Sequence, residues 1–511
     1  MFATRVIRPP DTINKDVYVN LYFAMSGVML FKSGVTVFED QVPIGATEMI
    51  ENQTYPQFVN SVRVRYRFEK KQVLQFRISD ENPLDYTQCT LASIINSVGV
   101  VSLPLNNKER KNVLLHIRWE KVASLKGEIS LRPRVELPPK GILKTKPLTE
   151  VELVIKRELS DGTRQLVNRS KLTPGLVLSF ASEQISGDNE NAPLHFEVFK
   201  ATRTKPIGAL ITCLNSLSTK HNTSCRLTNS KSNRIKNKGT LFLDKIEYKR
   251  HFPFVDYVSC GHHINIMYAI DFSTYNGIHH ELKDDSLNCY QKAIKSIGSI
   301  LDAYDNDHLV PSVWIRRPSA SILSSLGLLT PSLYVKGVDG IMDAYKHALS
   351  IVKPNNVNNL AKVISTAAGY ARSGGTSRYQ VCLVLTAGSV DDMTQTVDQI
   401  VKASGLPLSV IIVGIGNGNF TNMRILDGDA KTLQSKGKDA TRDIIQFVPF
   451  LSEYSNNLEE LNRLVLEEVP KQFCSYMNLK KIVPRAPQKF HFKDVLVSNG
   501  ATIGVDVDFK Y

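Results

Sequence analysis

The chain has no run of roughly eighteen apolar residues, the least that a helix needs to cross a bilayer. Its opening, MFATRVIRPPDT, lacks an apolar h-region, and Phe2 stands where myristoylation needs glycine; the closing VDVDFKY is no prenylation box. These absences predict a cytoplasmic protein without signal, anchor or span. Cysteine is scarce. Cys89, Cys213, Cys225, Cys260, Cys289, Cys382 and Cys474 are odd in number and lack CxxC spacing, which predicts buried or inert thiols in a reducing compartment. The sequons at Asn52, Asn168, Asn222 and Asn419 then carry no glycan. Acidic residues are short as well, 49 Asp and Glu against 63 Lys and Arg, so the net charge is +14 and the surface attracts anionic partners.

Catalytic patterns are missing too. No Ser/His/Asp or Cys/His set emerges, and the pairs His262–His263 and His279–His280 lack acidic or cysteine partners at metal spacing apart from Glu281 and Asp284. GIGNGN (Gly414 to Asn419) spaces its glycines as G-x-G-x-G, not G-x-G-x-x-G, so it reads as a structural turn and not a phosphate loop. There is no recognisable RNA- or DNA-reading motif and no basic run interleaved with aromatics. The expectation is a protein that is neither enzyme nor nucleic-acid binder.

What is present divides in two. The first half alternates: in SVRVRYRFEKKQVLQFRISD, Val62, Val64, Tyr66 and Phe68 fall on one face and Arg63, Arg65 and Arg67 on the other. Similar short runs recur in VNLYFAM, VLLHIRW, VELVIK, LVLSFA, LHFEVF and TLFLDKI. They predict two antiparallel β-sandwiches, residues 1–125 and 126–250, with LPPKGILKTKP near the join. From about His251 the strands INIMYAIDF, YQVCLVLTA, LSVIIVGIG and IIQFVPF are apolar throughout and alternate with helical periods. In one such period Tyr290, Ile294, Ile297 and Leu301 share a face; in another Leu458, Leu461, Val465 and Val469 do. That pattern predicts an α/β doubly wound, Rossmann-like domain over 251–484, followed by a tail over 485–511. Ligands of such sheets bind at the carboxyl ends of the strands, where Asp271 lies.

FPFVDYVSCGHHINIMYAIDFSTYNG, GVDGIMDAYKHAL, LPLSVIIVGIGNGNF, MRILDGD, RDIIQFVPF and VLEEVPKQFCSYM together resemble the von Willebrand A-type domain of copines. ATEMIENQTYPQF with YRFEKKQVLQFRISD, and DGTRQLVNRSKL, resemble the two C2 domains that copines carry ahead of it. The resemblance implies a cytosolic adaptor that binds phospholipid when calcium rises and recruits proteins through the A domain.

It also implies metal sites that this chain has altered. Where such A domains hold a divalent cation through D-x-S/T-x-S, the chain reads Asp271-Phe272-Ser273-Thr274-Tyr275, with a phenol in the last hydroxyl position; where copines read TDG it reads TAG, with Ala387. Asp271 and Ser273 alone are too few oxygens for a hard cation, and Asp391 or Asp392 would have to move to help. In the second C2-like domain SDPF has become TKPL around Lys146, and EVFKATRTKPIGA sets Lys200, Thr202 and Lys205 at aspartate positions, with Arg203 between them. Ammonium groups there repel calcium. The first domain keeps Asp80, Asn82 and Asp85 in ISDENPLDY, a weak calcium site at most, and LFKSGVTVF has no aspartate near Gly34. No other cofactor is expected.

Fixed positive charge then takes the place of the ion. Lys146, Lys200, Arg203 and Lys205 at one tip, and Arg63, Arg65, Arg67, Lys70 and Lys71 on a strand face, are the predicted lipid-binding residues, each cation worth about 1 kcal/mol near an anionic leaflet. The segment from Lys200 to Arg250 adds twelve Lys and Arg against Asp244 and Glu247. The expectation is an anionic-membrane adaptor at the plasma membrane or another acidic membrane. Its protein partner, which the sequence does not name, would bind the rim formed by Ser273 to Gly277, Ala387 to Val390 and the loop near Gly337. A calcium-dependent copine served by the first C2 domain, and a scaffold that touches no membrane, are the alternatives.

Overall fold

The computed structural model describes residues 17–27, 32–79, 85–97, 99–106, 113–122, 127–137, 151–187, 189–200, 204–227, 239–272, 279–283, 285–315, 334–351, 359–375, 377–388, 390–428, 432–450, 454, 457–485 and 491–492. The chain forms two compact units. One joins Asp16–Val122 to Pro253–Tyr511, and the other is Ala123–Phe252 with Met1–Lys15.

In the first sandwich the longer strands of two antiparallel sheets are β1 Val17–Ser26, β2 Lys32–Glu39, β3 Val42–Ala46, β4 Val62–Tyr66, β5 Val73–Ser79, β6 Tyr86–Thr90, β7 Val101–Pro104 and β8 Leu114–Lys121, and the two-residue strand Ile50–Glu51 also pairs with β2. The sheets run β4-β1-β8-β7 and β3-β2-β5-β6. Period-two alternation sets their faces. Val62, Val64 and Tyr66 are buried while Arg63 and Arg65 are exposed, and Val19, Leu21 and Phe23 point into the same core. A short helix, α1 (Leu91–Asn96), is capped by the Thr90 hydroxyl on the Ser93 amide.

The second sandwich stands in the other unit. Its strands are β9 Gly127–Glu136, β10 Val151–Glu158, β11 Arg164–Lys171, β12 Leu178–Ala181, β13 Leu194–Lys200, β14 Gly208–Thr212, β15 Thr223–Arg226 and β16 Thr240–Arg250. They pair as β12-β9-β16-β15 and β11-β10-β13-β14 around one core that includes Leu153, Ile155, Phe196, Val198, Leu241 and Leu243.

The rest is a six-stranded sheet ordered β19-β18-β17-β20-β21-β22, from β17 His263–Asp271, β18 Leu309–Ile315, β19 Tyr334–Lys336, β20 Arg378–Thr386, β21 Leu408–Ile415 and β22 Ile445–Phe450. All neighbours are parallel except the edge pair β18–β19. Every residue of β21 is buried, as strands covered on both faces require. The helices are α2 Phe254–Val258, α3 Cys289–Leu301, α4 Gly337–Ile351, α5 Leu360–Ser373, α6 Met393–Ala403, α7 Thr421–Leu426, α8 Leu458–Leu466 and α9 Val469–Leu479. Tyr290, Ile294, Ile297 and Leu301 of α3 are buried as their spacing predicts. The second predicted stripe is corrected: the helix ends at Leu466 and Val469 opens α9, because Pro470 in its first turn has no amide to continue the earlier helix.

Within its unit the first sandwich leans on this α/β part. Phe68 packs on Phe254 and Tyr304 at ring separations of 5.0 and 4.9 Å, and Phe254 packs on Phe473. Polar contacts surround that aromatic seam. Lys121 donates to both oxygens of Asp256 at 2.6 Å, and the Asn96 amide donates to the Ala303 carbonyl.

Candidate functional site

The parallel sheet delivers Asp271 to the carboxyl end of β17, where it is fully buried. The Thr386 hydroxyl, at the end of neighbouring β20, donates to its carboxylate at 2.7 Å. Ala387 follows, 4% exposed, with only a methyl where a further carboxylate would add charge. The corner is closed from the side by the turn after β21. A Cβ on Gly418 would overlap the Ala387 carbonyl, and one on Gly416, whose φ is +79°, would overlap the His279 ring. The glycines of GIGNGN therefore serve close packing.

His280 sits beneath this corner, a residue that the sequence analysis noted only as one of a pair. Its ring stacks between Phe272 and Tyr290, at 5.0 and 4.1 Å. One nitrogen, Nε2, lies 3.0 Å from the Asp271 carbonyl and so carries the proton; Nδ1, 2.8 Å from the Tyr345 hydroxyl, accepts from it. The Asn288 amide donates to that same hydroxyl. Burial holds the His280 ring down to about 4, so it is neutral at ordinary pH. Burial, then the charge of Asp271, keeps the Tyr290 phenol well above its usual range.

Neither neighbouring aspartate can be borrowed cheaply. Asp392 accepts the amides of Leu360 and Ala361 and the Thr396 hydroxyl, which ties it to the start of α5. Asp391 also has a partner. Among the described residues, no three His, Cys, Asp or Glu side chains stand close enough to share a metal ion. The described part of the corner does not fit a hard divalent cation: it offers one carboxylate, already bonded. Ser273 and Tyr275 lie outside the described residues.

In the first sandwich Asp85 is 1% exposed, while Asp80 and Asn82 lie outside the described residues. In the second, Lys200 ends β13 opposite Val151. Lys205 is exposed; Lys146, Thr202 and Arg203 lie outside the described residues. The outer face of β10, β11 and β13 is charge-balanced. Lys156 bonds Glu197, His195 bonds Glu158, and Arg169 bonds Glu152, each at about 2.8 Å.

The five cations of the first sandwich part ways. Arg63 and Arg65 are exposed on β4, with the Arg63 guanidinium 4.4 Å over the Tyr18 ring. Lys71 is exposed as well. By contrast, Arg67 bonds Glu39 at 2.6 Å, and Lys70 bonds Asp40 and reaches Glu459 on α8. These last two are spent within the protein, an outcome that spacing could not reveal.

A chain with two antiparallel sandwiches and a parallel sheet whose carboxyl-end aspartate is buried is defined first as a multidomain β and α/β protein. The comparisons with known proteins then place it. A family model described as Copine matches residues 278–485. Copine-A of Dictyostelium discoideum is 31% identical, with 86% of this chain and 79% of the relative aligned. The nicotinic receptor-associated protein 1 of Caenorhabditis elegans is 28% identical, over 86% and 81%. Among solved structures, the tandem C2 domains of extended-synaptotagmin 2 align with 49% of this chain and 98% of theirs, at 12% identity and a TM-score of 0.23. The chain belongs to the copine family.

Proposed function

We propose that this copine is a peripheral membrane adaptor that meets anionic phospholipid through fixed basic side chains, recruits a protein at the rim of its A-type domain, and depends little on calcium or magnesium. The observation that carries the reading is the Asp271–Thr386 bond beside Ala387, which leaves the described corner with one engaged carboxylate and a methyl beside it. Hard cations need several oxygens at once, so partner binding at this rim does not wait for one.

Lipid contact falls to Arg63, Arg65 and Lys71 on the first sandwich and to Lys200 and Lys205 on the second, together with Lys146 and Arg203, which lie outside the described residues. Arginine suits phosphate because its planar fork binds two oxygens together. No catalytic role is assigned. One relative is named for association with a nicotinic receptor, which agrees with an adaptor that holds a protein at a membrane.

Sedimentation with phosphatidylserine vesicles tests the reading, run with chelator and with calcium. Equal binding in both is expected. Binding only with calcium would overturn it in favour of ligands from the Asp80–Asp85 loop, and no binding in either would leave a scaffold.

A further inference from the structure

The outer face of β1 carries half-buried Tyr18, Asn20 and Tyr22 and the buried Ala24, the alternate set to the core residues Val19, Leu21, Phe23 and Met25. Register brings Arg65 opposite Tyr18, Arg63 opposite Asn20, and Arg118 of β8 opposite Tyr22. Two guanidiniums lie over two rings, Arg63 on Tyr18 and Arg118 on Tyr22, both at 4.4 Å. One carboxylate, Glu120, shares the face and pairs with Arg118. The result is a flat arginine–tyrosine ladder, cationic and amphipathic.

One end of the ladder is covered by the chain itself. Phe492 is 8% exposed and forms a separate small cluster with Ala24, packed by Tyr22, Tyr55 and Val100. Its ring also lies 5.7 Å from the Arg118 guanidinium. The chain reaches this position from the α/β part, where the Cys260 thiol donates to the Arg485 carbonyl and the Tyr257 hydroxyl to that of Ile482. Phe492 thus packs on the outside of the sandwich.

We propose that Phe492 is an intramolecular cover on this ladder, and that an anionic membrane competes with it for the same face. The proposal rests on the lipid-binding reading given above and adds its regulation. A membrane is flat, so it meets Arg63, Arg65 and Arg118 together only if nothing stands above Tyr22. The Phe492 ring above Tyr22 keeps a bilayer from closing flat on the guanidiniums, and the attraction of exposed charges decays over a Debye length of about 8 Å. Once Phe492 leaves, Tyr22 and Tyr55 are free to sit at headgroup depth, where aromatic rings with a polar edge are favoured.

The test uses the full chain and two vesicle types, phosphatidylcholine alone and phosphatidylcholine with phosphatidylserine. Phe492→Ala should raise binding to the charged vesicles by about three- to tenfold, the scale expected for removing one competing aromatic contact. Phe492→Leu, which keeps the apolar packing but loses the ring beside Arg118, should fall between the two. Adding Arg63→Glu and Arg65→Glu to Phe492→Ala should abolish the gain. A peptide spanning residues 487–496, added in trans, should reverse it.

If Phe492→Ala changes nothing while the two arginine substitutions weaken the otherwise unaltered protein, the cover is refuted and the lipid face stands. If the arginine substitutions have no effect in either background, the lipid face itself is refuted. A gain of equal size on uncharged vesicles would mark plain apolar stickiness and would also overturn the proposal.

Discussion

The hydroxyls of Tyr66 and Tyr304 lie 2.7 Å apart, one at the end of strand β4 and the other in the 3-10 turn after α3, 238 residues away. Both are buried, and burial raises both phenols above their usual range. The bond is the polar centre of an otherwise aromatic seam. Removing one hydroxyl strands the other in an apolar setting, which costs about 1–3 kcal/mol. Tyr66→Phe and Tyr304→Phe should each lower the unfolding free energy read from urea titration by that amount, and the double variant should recover most of it. Additive losses in the double-mutant cycle would show that the two groups do not interact.

Ala387 offers a gain-of-site test. Ala387→Asp buries a second carboxylate beside Asp271 without adding a counter-charge, and an unpaired buried charge is costly. With chelator the variant should melt several degrees below the parent. Magnesium should restore part of that loss in the variant and leave the parent unmoved. A parent whose melting temperature rises with magnesium would contradict the fit described for the corner.

Gly418 needs no positive φ; what it needs is the absence of a side chain, because its Cβ would strike the Ala387 carbonyl. Gly418→Ala should therefore destabilise by roughly 1–3 kcal/mol, the range for forced overpacking. Gly405→Ala, at a site where an added Cβ meets nothing within 4 Å, is the control and should be near neutral. Equal effects would mean that the turn is not pressed on the corner.

Asp305 predicts a pH response. It is 2% exposed, and its Oδ2 finds no hydrogen-bond donor among the described residues. Burial, then the charge of Asp307, pushes the carboxyl up to about 7. The folded protein thus holds this proton more tightly than the unfolded chain, whose aspartates titrate near roughly 3.9. Stability from this group falls as pH rises from about 4 to about 7 and is level above, a total on the order of a few kcal/mol. Asp305→Asn should be more stable than the parent at pH 8 and no different at pH 4, read from urea midpoints. The same gain at both would exclude titration as its cause.

His280 has the opposite sign. Burial holds it down to about 4, so the unfolded chain binds this proton more readily and stability falls as pH drops from about 6.5 to about 4. His280→Gln should flatten that acid limb while costing stability at neutral pH, because the ring stacking between Phe272 and Tyr290 is lost. An unchanged acid limb would place the titration elsewhere.

Much of the fold was legible because side-chain period is a local property. Val62, Val64 and Tyr66 alternate with arginines since a strand turns successive residues to opposite faces; β21 is buried throughout and apolar but for Ser409 since helices cover both of its sides. Asp271 could be set at a strand end for the same reason. Its partner was less legible. Thr386 stands 115 residues away, and no local pattern joins the two. His280 gave a weak signal, an ionisable residue amid Phe272, Tyr290 and Tyr345, which only the closing of the sheet turned into a stack.

The sequence by itself determined the kinds of sheet, the basic balance of the surface and the methyl side chain at Ala387, because each is written in residue type and short-range spacing. Tertiary structure alone decided which charges remain available. Lys70 meets Glu459, Arg67 meets Glu39, and Phe492 covers Ala24. Such pairings depend on where distant segments come to rest, and the free energy that sets them comes from burial summed over the whole unit. No short window of sequence contains that sum.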